Sequence, residues 1–235
     1  LSCKNNTKLY HTGCAIQWNH SNINAGLNFQ YVALDKKLVV GKELYERFRF
    51  SGKQMPNLSF DAGFNLFNIH WFGELAMDEG YHLASVVGAI GSLSRYADIA
   101  FSYRHIPLDF HSPSLMGLNQ YYSINPANSF SSLLNTQLSK GCKLSFCLEQ
   151  TKNPWPGYSK NSTSLIRSWS FRLLLEKNKN KSIVINFRKN NEQENVQDDH
   201  YIIKPICAVV KNQLDIQQHL MITEKCSLIN QFNIV

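Results

Sequence analysis

His70, Glu74 and Asp78 recur at four-residue steps. A histidine with two carboxylates is the material of general acid–base chemistry, provided the groups come within hydrogen-bond reach. The residues around them alternate apolar and polar, so the segment reads as a strand, and four steps along a strand span roughly 13 Å. Only cross-strand neighbours such as Asp61 and His82 can approach them. A set of charges that neutralise one another is the expected arrangement. No G-x-S-x-G elbow occurs, and Gly41, Gly88 and Gly91 meet neither Walker nor dinucleotide spacing. Cys3, Cys14, Cys142, Cys147, Cys207 and Cys226 contain no C-x-x-C pair. A zinc or redox centre is therefore not expected. No catalytic residue, metal or cofactor is assigned, and the chain is expected not to be an enzyme.

A different chemistry is suggested by Tyr45-Glu46-Arg47-Phe48-Arg49-Phe50, where basic and aromatic residues alternate within a long connection. Arg47 and Arg49 either fold into a mouth as a constriction, where basic rings favour anions, or sit on an external hairpin whose aromatics pack on a rim.

The elements that must hold these residues are strands. Leu58, Phe60, Ala62, Phe64 and Leu66 alternate with Asn57, Ser59, Asp61, Gly63 and Asn65, which puts the two sets on opposite faces of a sheet. The same split separates Ile69, Trp71, Leu75 and Met77 from His70, Glu74 and Asp78, with Phe72 intruding on the polar side. It recurs around 99–104, 165–175, 183–188 and 214–222, more weakly around 14–19, 27–33 and 142–149, and 83–90 is apolar on both faces, as a strand against an internal plug would be. The stretch 201–210 is interrupted by Pro205, which suits a bulge or sheet edge. The polar faces then carry Asn28, Gln30, Asp61, His70, Glu74, Asp98, Arg104, Lys143, Glu149, Arg172, Asn186, Arg188 and Asp215. Short turns are expected near 19–23, 66–68, 92–95, 139–141, 177–180 and 211–212. Long loops are expected at 35–55, 107–128, 152–162 and 190–199, and a tight turn at Asp78-Glu79-Gly80.

Composition limits the classes. Across 235 residues, 14 Phe, 10 Tyr and 4 Trp are more aromatic surface than a disordered chain carries. The longest uncharged apolar run, 83–93, falls short of the ~20 residues of a spanning helix. One domain over 1–235 is expected. The net charge of +7 is partly clustered, with 11 Lys or Arg between Ser139 and Asn190, but Lys177, Lys179 and Lys181 read as a solvated hairpin. No direct nucleic-acid binding is expected.

Two environments can receive the apolar faces. In a soluble, secreted β-rich binding module, a sandwich or closed barrel, they meet in a core; in a membrane barrel they face lipid and the polar faces line a lumen. Segments of about nine to eleven residues match membrane strands. Segregated short turns and long loops, and Trp18, Tyr31, Trp71, Tyr103 and Trp169 near segment ends, match a barrel with interfacial girdles.

Phe72-Gly73-Glu74-Leu75-Ala76, Phe48-Arg49-Phe50-Ser51-Gly52 with Asn57-Leu58-Ser59-Phe60, Asp98 through Arg104 and Asn153-Pro154-Trp155 through Ser164 resemble the C-terminal outer-membrane barrel region of Bacteroidota proteins that also carry a helix-hairpin-helix part. The likeness runs from about Trp18 to Asn190 and lacks the helix-hairpin-helix segment, so a mature or partial chain is expected and no DNA-binding role is carried to any residue. It implies an antiparallel up-and-down transmembrane β-barrel, about 12–14 strands, in the bacterial outer membrane. Such a protein acts as a channel, a scaffold or a subunit of a cell-envelope complex, with outer-membrane lipid and other envelope proteins as partners. The segment 225–235 reads as half a strand or a tail.

Overall fold

The computed structural model describes residues 8–112, 128–156, 162–178, 181–195, 206–223 and 226–234. The strands are β1 (Leu9–His20), β2 (Ile23–Leu38), β3 (Gly52–Leu66), β4 (Ile69–Asp78), β5 (Leu83–Ser94), β6 (Ala97–His105), β7 (Asn128–Ser139), β8 (Cys142–Asn153), β9 (Ser164–Asn178), β10 (Lys181–Asn195), β11 (Ile206–Thr223) and β12 (Cys226–Ile234). They form one 12-stranded antiparallel sheet in which every strand pairs with its neighbour in sequence. Among the described residues the only helical piece is a 3-10 turn, Leu44–Glu46. β1 and β12 are the two edges and are not paired with each other.

Connections alternate in length. Positions 21–22, 67–68, 95–96, 140–141, 179–180 and 224–225 separate strands at one end, and 39–51, 79–82, 106–127, 154–163 and 196–205 separate them at the other. Two-residue hairpins demand positive φ, which Phe67 (52°), Asn68 (60°), Ser21 (49°) and Gly141 (90°) supply. Gly141 has a second constraint: a Cβ there would sit within 2.2 Å of the Glu176 carbonyl oxygen. Gly141→Ala is expected to lower stability by at least about 1–2 kcal/mol, read as an earlier midpoint in chemical denaturation.

Several expected boundaries move. No turn exists at 211–212, because β11 runs unbroken from Ile206 to Thr223. The expected loop at 190–199 is strand as far as Asn195, paired Asn190↔Lys211 through Asn195↔Ile206. Lys211 Nζ lies 2.6 Å from Glu194 Oε1 and 3.6 Å from Glu192 Oε2, exposed cross-strand ion pairs that accompany the backbone ladder of the segment expected as a loop. The segment expected as half a strand or a tail is strand β12 from Cys226 to Ile234, and β2 and β3 shorten the expected 35–55 loop to 39–51. The turn expected at 92–95 lies at 95–96, and 177–178 of the turn expected at 177–180 are still strand β9. Tyr201 to Pro205 and 179–180 lie outside the described residues. Expected alternation holds elsewhere, and Cys142 and Cys147 do fall on opposite faces.

The apolar face of the sheet is uncovered, and Asn57 and Asp78 of the polar face are buried where connection 106–112 lies on them. Phe60 is 51% exposed and Leu75 47%, whereas Asn57 and Asp78 are 8% and 7% exposed. Buried apolar residues among those described are few, namely Val32, Met55, Ala84, Ala89, Ile106 and Phe110. Soluble proteins rarely expose a contiguous apolar face of this extent.

Candidate functional site

Antiparallel pairing puts directly opposed residues on the same face, so the register assigns a face to every position. One row runs Ser92↔Asp98↔Asn135↔Ser145↔Arg172↔Asn186↔Asp215↔Asn233. Another runs Gly26↔Asp61↔Glu74↔Val86↔Arg104. Asn28 and Gln30 oppose Ser59 and Asn57, His70 opposes Asn65, Lys143 opposes Gln137, Glu149 opposes Ser131 and Ser168, and Arg188 opposes Ser170. All the polar candidates of the sequence therefore share one face.

Short polar contacts tie that face together. Asn28 Nδ2 donates to Asp61 Oδ1 (2.8 Å), and Ser92 Oγ to Asp98 Oδ1 (2.6 Å). His70 Nδ1 lies 2.8 Å from Asn65 Oδ1. Ser168 Oγ donates to Glu149 Oε2 (3.1 Å), Arg188 Nε to Asn190 Oδ1 (3.2 Å), and Gln213 Nε2 to Asp215 Oδ1 (3.2 Å). Arg188 Nη2 is 3.6 Å from Glu149 Oε2, with both side chains about half exposed, so the pair contributes little energy. These contacts distribute charge along the face, and no nucleophile–base–orienter chain runs through them. His70, Glu74 and Asp78 keep the separation that the strand imposes.

The intruding Phe72 has a local reason. It opposes Gly88, where a Cβ would come within 2.6 Å of the Phe72 ring, and its ring stacks on His70 at 6.3 Å. The small residues of β5 serve a related purpose: Ala84 is buried with Ile106 and Phe110, against Ala76. Ala76 and Ala84 lie on the polar face by register, so the first part of the 106–127 connection folds down onto that face.

Three connections meet at this end. Asp78 accepts from the backbone N–H of His82 and of His111, both at 2.9 Å. Asn57, directly opposite Asp78, donates Nδ2 to the His111 carbonyl at 2.9 Å. His111 Nε2 is 3.1 Å from the Phe48 carbonyl, and the Phe50 ring meets the His111 ring edge-on at 5.6 Å. Trp155 Nε1 donates to the Leu44 carbonyl at 3.0 Å and its ring meets Phe48 at 4.7 Å and 89°. Connection 39–51 thus bridges 106–112 to 154–156. Phe48 and Phe50 are half-buried, while Arg47 and Arg49 are exposed. Arg49 Nη1 pairs with Glu46 Oε1 at 2.5 Å, and the Arg47 guanidinium lies 5.6 Å and 5.9 Å from the Phe48 and Trp155 ring centres. The alternation expected there is real, with Phe48 and Phe50 packed against neighbouring connections and Arg47 and Arg49 exposed. His111 was not singled out in the sequence, and Trp155 entered only within the Asn153-Pro154-Trp155 segment, with no contact assigned to it.

The opposite face is apolar and carries no carboxylate. Register and alternation place no Asp or Glu on it from β1 to β12, counting β2 as far as Ala33. Trp71 packs with Phe64 (6.3 Å) and Phe101 (5.6 Å) near the two-residue turns, and Trp169 with Phe187 (5.1 Å) nearer the long connections. On β9 the outward residues between Arg167 and Lys177 are Trp169, Phe171, Leu173 and Leu175. Those ten steps at about 3.3 Å span roughly 33 Å along the strand. Cys14, Cys142, Cys147 and Cys207 are free thiols. Neither the family models nor the curated proteins compared with this chain give a match.

Proposed function

We propose that the sheet closes between β1 and β12 into a transmembrane β-barrel of the bacterial outer membrane, with the polar face as its lumen and the long connections external. The observation that carries this reading is the exposed apolar face, free of carboxylates where the strands pair (β2 counted as far as Ala33) and, at the ~40° inclination of barrel strands, about as tall as a hydrocarbon core of ~25 Å. In water such a face is unfavourable by roughly 25 cal/mol per Å²; in lipid it is the favourable surface. An even strand number also suits closure, since β1 runs toward the two-residue turns and β12 away from them, so the edges can pair antiparallel and remove two unpaired ladders.

The lumen reading gives the polar candidates a common role. Their charges offset one another in a confined space, and 106–112 narrows the external mouth. The activity proposed is non-enzymatic: a narrowed conduit or a scaffold of the cell envelope. The likeness to the Bacteroidota barrel region is part of this proposal and rests on the quoted segments, which fall in 39–51, β3, β4, β6 and the connection 154–163.

The test is membrane fractionation with heated and unheated electrophoresis of detergent-extracted protein. Recovery in the membrane fraction with a heat-shifted band is expected. Solubility without detergent and a single band at both temperatures would instead make this a soluble β-rich module and remove the lumen.

A further inference from the structure

The outward face carries its cations on three adjacent strands only. Between β1 and β12, counting β2 as far as Ala33, the outward Lys and Arg positions fixed by register are Lys152 on β8, Arg167 on β9, and Lys181 and Lys189 on β10. Lys181 lies at the two-residue-turn end. Lys152, Arg167 and Lys189 lie together at the other boundary of the apolar band. Gln150 opposes Arg167 and Arg167 opposes Asn191, so Lys152 and Lys189 are its diagonal neighbours, each two residues along the flanking strand. Diagonal neighbours on one face are about 7–8 Å apart, within reach of one another's long side chains. Arg167 Nε donates to Gln150 Oε1 at 3.1 Å, which fixes the plane of the guanidinium. Immediately below, Trp169 and Phe187 pack at 5.1 Å. Acids on these strands, Glu149, Glu176, Glu192 and Glu194, all fall on the polar face, through the sheet.

Three cations with no carboxylate on their side, Lys152 and Arg167 above the aromatic pair and Lys189 level with Trp169, edge the apolar band and are complementary to a phosphate whose tails descend along it. We propose that Lys152, Arg167 and Lys189 form a headgroup seat for an anionic phospholipid in the leaflet on the long-connection side. The inference rests on the barrel reading, because only there does this rim meet headgroups. Arg167 supplies planar donors and the two lysines supply charge.

The experiment uses the whole chain refolded into phosphatidylcholine nanodiscs containing one fifth phosphatidylglycerol, with retained lipid counted by native mass spectrometry after mild release. Wild type is expected to keep phosphatidylglycerol preferentially, and to lose that preference when sodium chloride is raised to about 0.5 M. At about fivefold per cation, the triple variant Lys152→Gln/Arg167→Gln/Lys189→Gln should bind it about a hundredfold more weakly. Lys152→Arg/Lys189→Arg should bind as wild type, and so should Lys143→Gln/Arg172→Gln/Arg188→Gln, which removes equal charge from the other face. Equal retention by the rim triple variant and wild type overturns the seat while leaving the barrel standing. A wild-type chain that never enters nanodiscs and needs no detergent overturns both.

Discussion

Phe171→Arg should destabilise the folded protein in phosphatidylcholine vesicles by roughly 2–4 kcal/mol, the cost of a cation near the midplane of a barrel's lipid face. Phe171 sits midway between Arg167 and Lys177, opposes Phe146 and Phe187, and is 36% exposed. It is therefore as deep in the proposed hydrocarbon layer as an outward residue of β9 can be. The same substitution in a water-soluble sheet would exchange one exposed side chain for another and shift stability by no more than about 0.5 kcal/mol. Reversible urea unfolding in vesicles measures the difference. Ser170→Arg, one residue along and on the opposite face, is the control: it should cost far less, because Ser170 opposes Cys147 and Arg188 among polar neighbours. Similar losses at both positions would show that the two faces share one environment, and the barrel proposal would fall.

The contrast between Phe171 and Ser170 explains how much could be read without coordinates. Face is a parity property on a strand: once one residue of a strand is assigned, all the others follow. Strong apolar alternation in β3, β4, β6, β9 and β10 therefore assigned Asp61, Glu74, Arg104, Arg172 and Arg188 to one face without knowledge of register. Strand ends were another matter. β10 continues past the apolar band through Asn190-Asn191-Glu192-Gln193-Glu194-Asn195, and β11 accompanies it through Lys211 and Asn212. β10 is polar on both faces there and its β11 partners Ile206 to Val210 are apolar on both, so hydropathy alternation vanishes while backbone pairing and the Lys211 ion pairs persist. A turn and a loop were read into what is continuous ladder. β7 suffered similarly: only Phe130, Leu134 and Leu138 mark its outward side, with Ser132 and Thr136 between them.

The mouth was less legible still. Its bonds join Asp78 to His111 and Leu44 to Trp155, residues 33 and 111 apart in sequence. No periodicity records such contacts, because each is a single side chain meeting a distant backbone group. The one local sign was the small, two-sided apolar character of β5, where Ala84 leaves room for Ile106 and Phe110. Asp78 itself was read as a member of a charge network, yet its partners are mainly backbone N–H groups, which any residue but proline can supply.

Asp78→Ala is the variant expected to release that mouth. The side chain is 4% exposed and closes β4, where its carboxylate accepts the His82 and His111 N–H groups and lies 3.0 Å from His82 Nδ1. Removing it leaves two donors without their acceptor, at about 1–3 kcal/mol for each that stays buried. The cheaper response is for 106–112 to lift away, since loss of the carboxylate leaves only the Asn57 bond to the His111 carbonyl, the contacts to Phe48 and Phe50, and the packing of Ile106 and Phe110 on Ala84 to hold it. The sheet should survive, since β3, β4 and β5 are paired through Leu66 and Ile69 independently of the carboxylate. Hydrogen exchange should show amides of 106–112 less protected by about a hundredfold, the equivalent of roughly 3 kcal/mol, with β4 and β5 unchanged. Asp78→Asn keeps one carbonyl acceptor but turns an NH₂ toward a donor, so an intermediate loss is expected. Unaltered protection in Asp78→Ala would mean that the apolar contact of Ile106 and Phe110 with Ala84, rather than the carboxylate, seats the segment. Planar-bilayer recordings then separate seat from gate: conductance larger in Asp78→Ala than in wild type places 106–112 in the ion path, and equal conductance with lost protection places it beside that path.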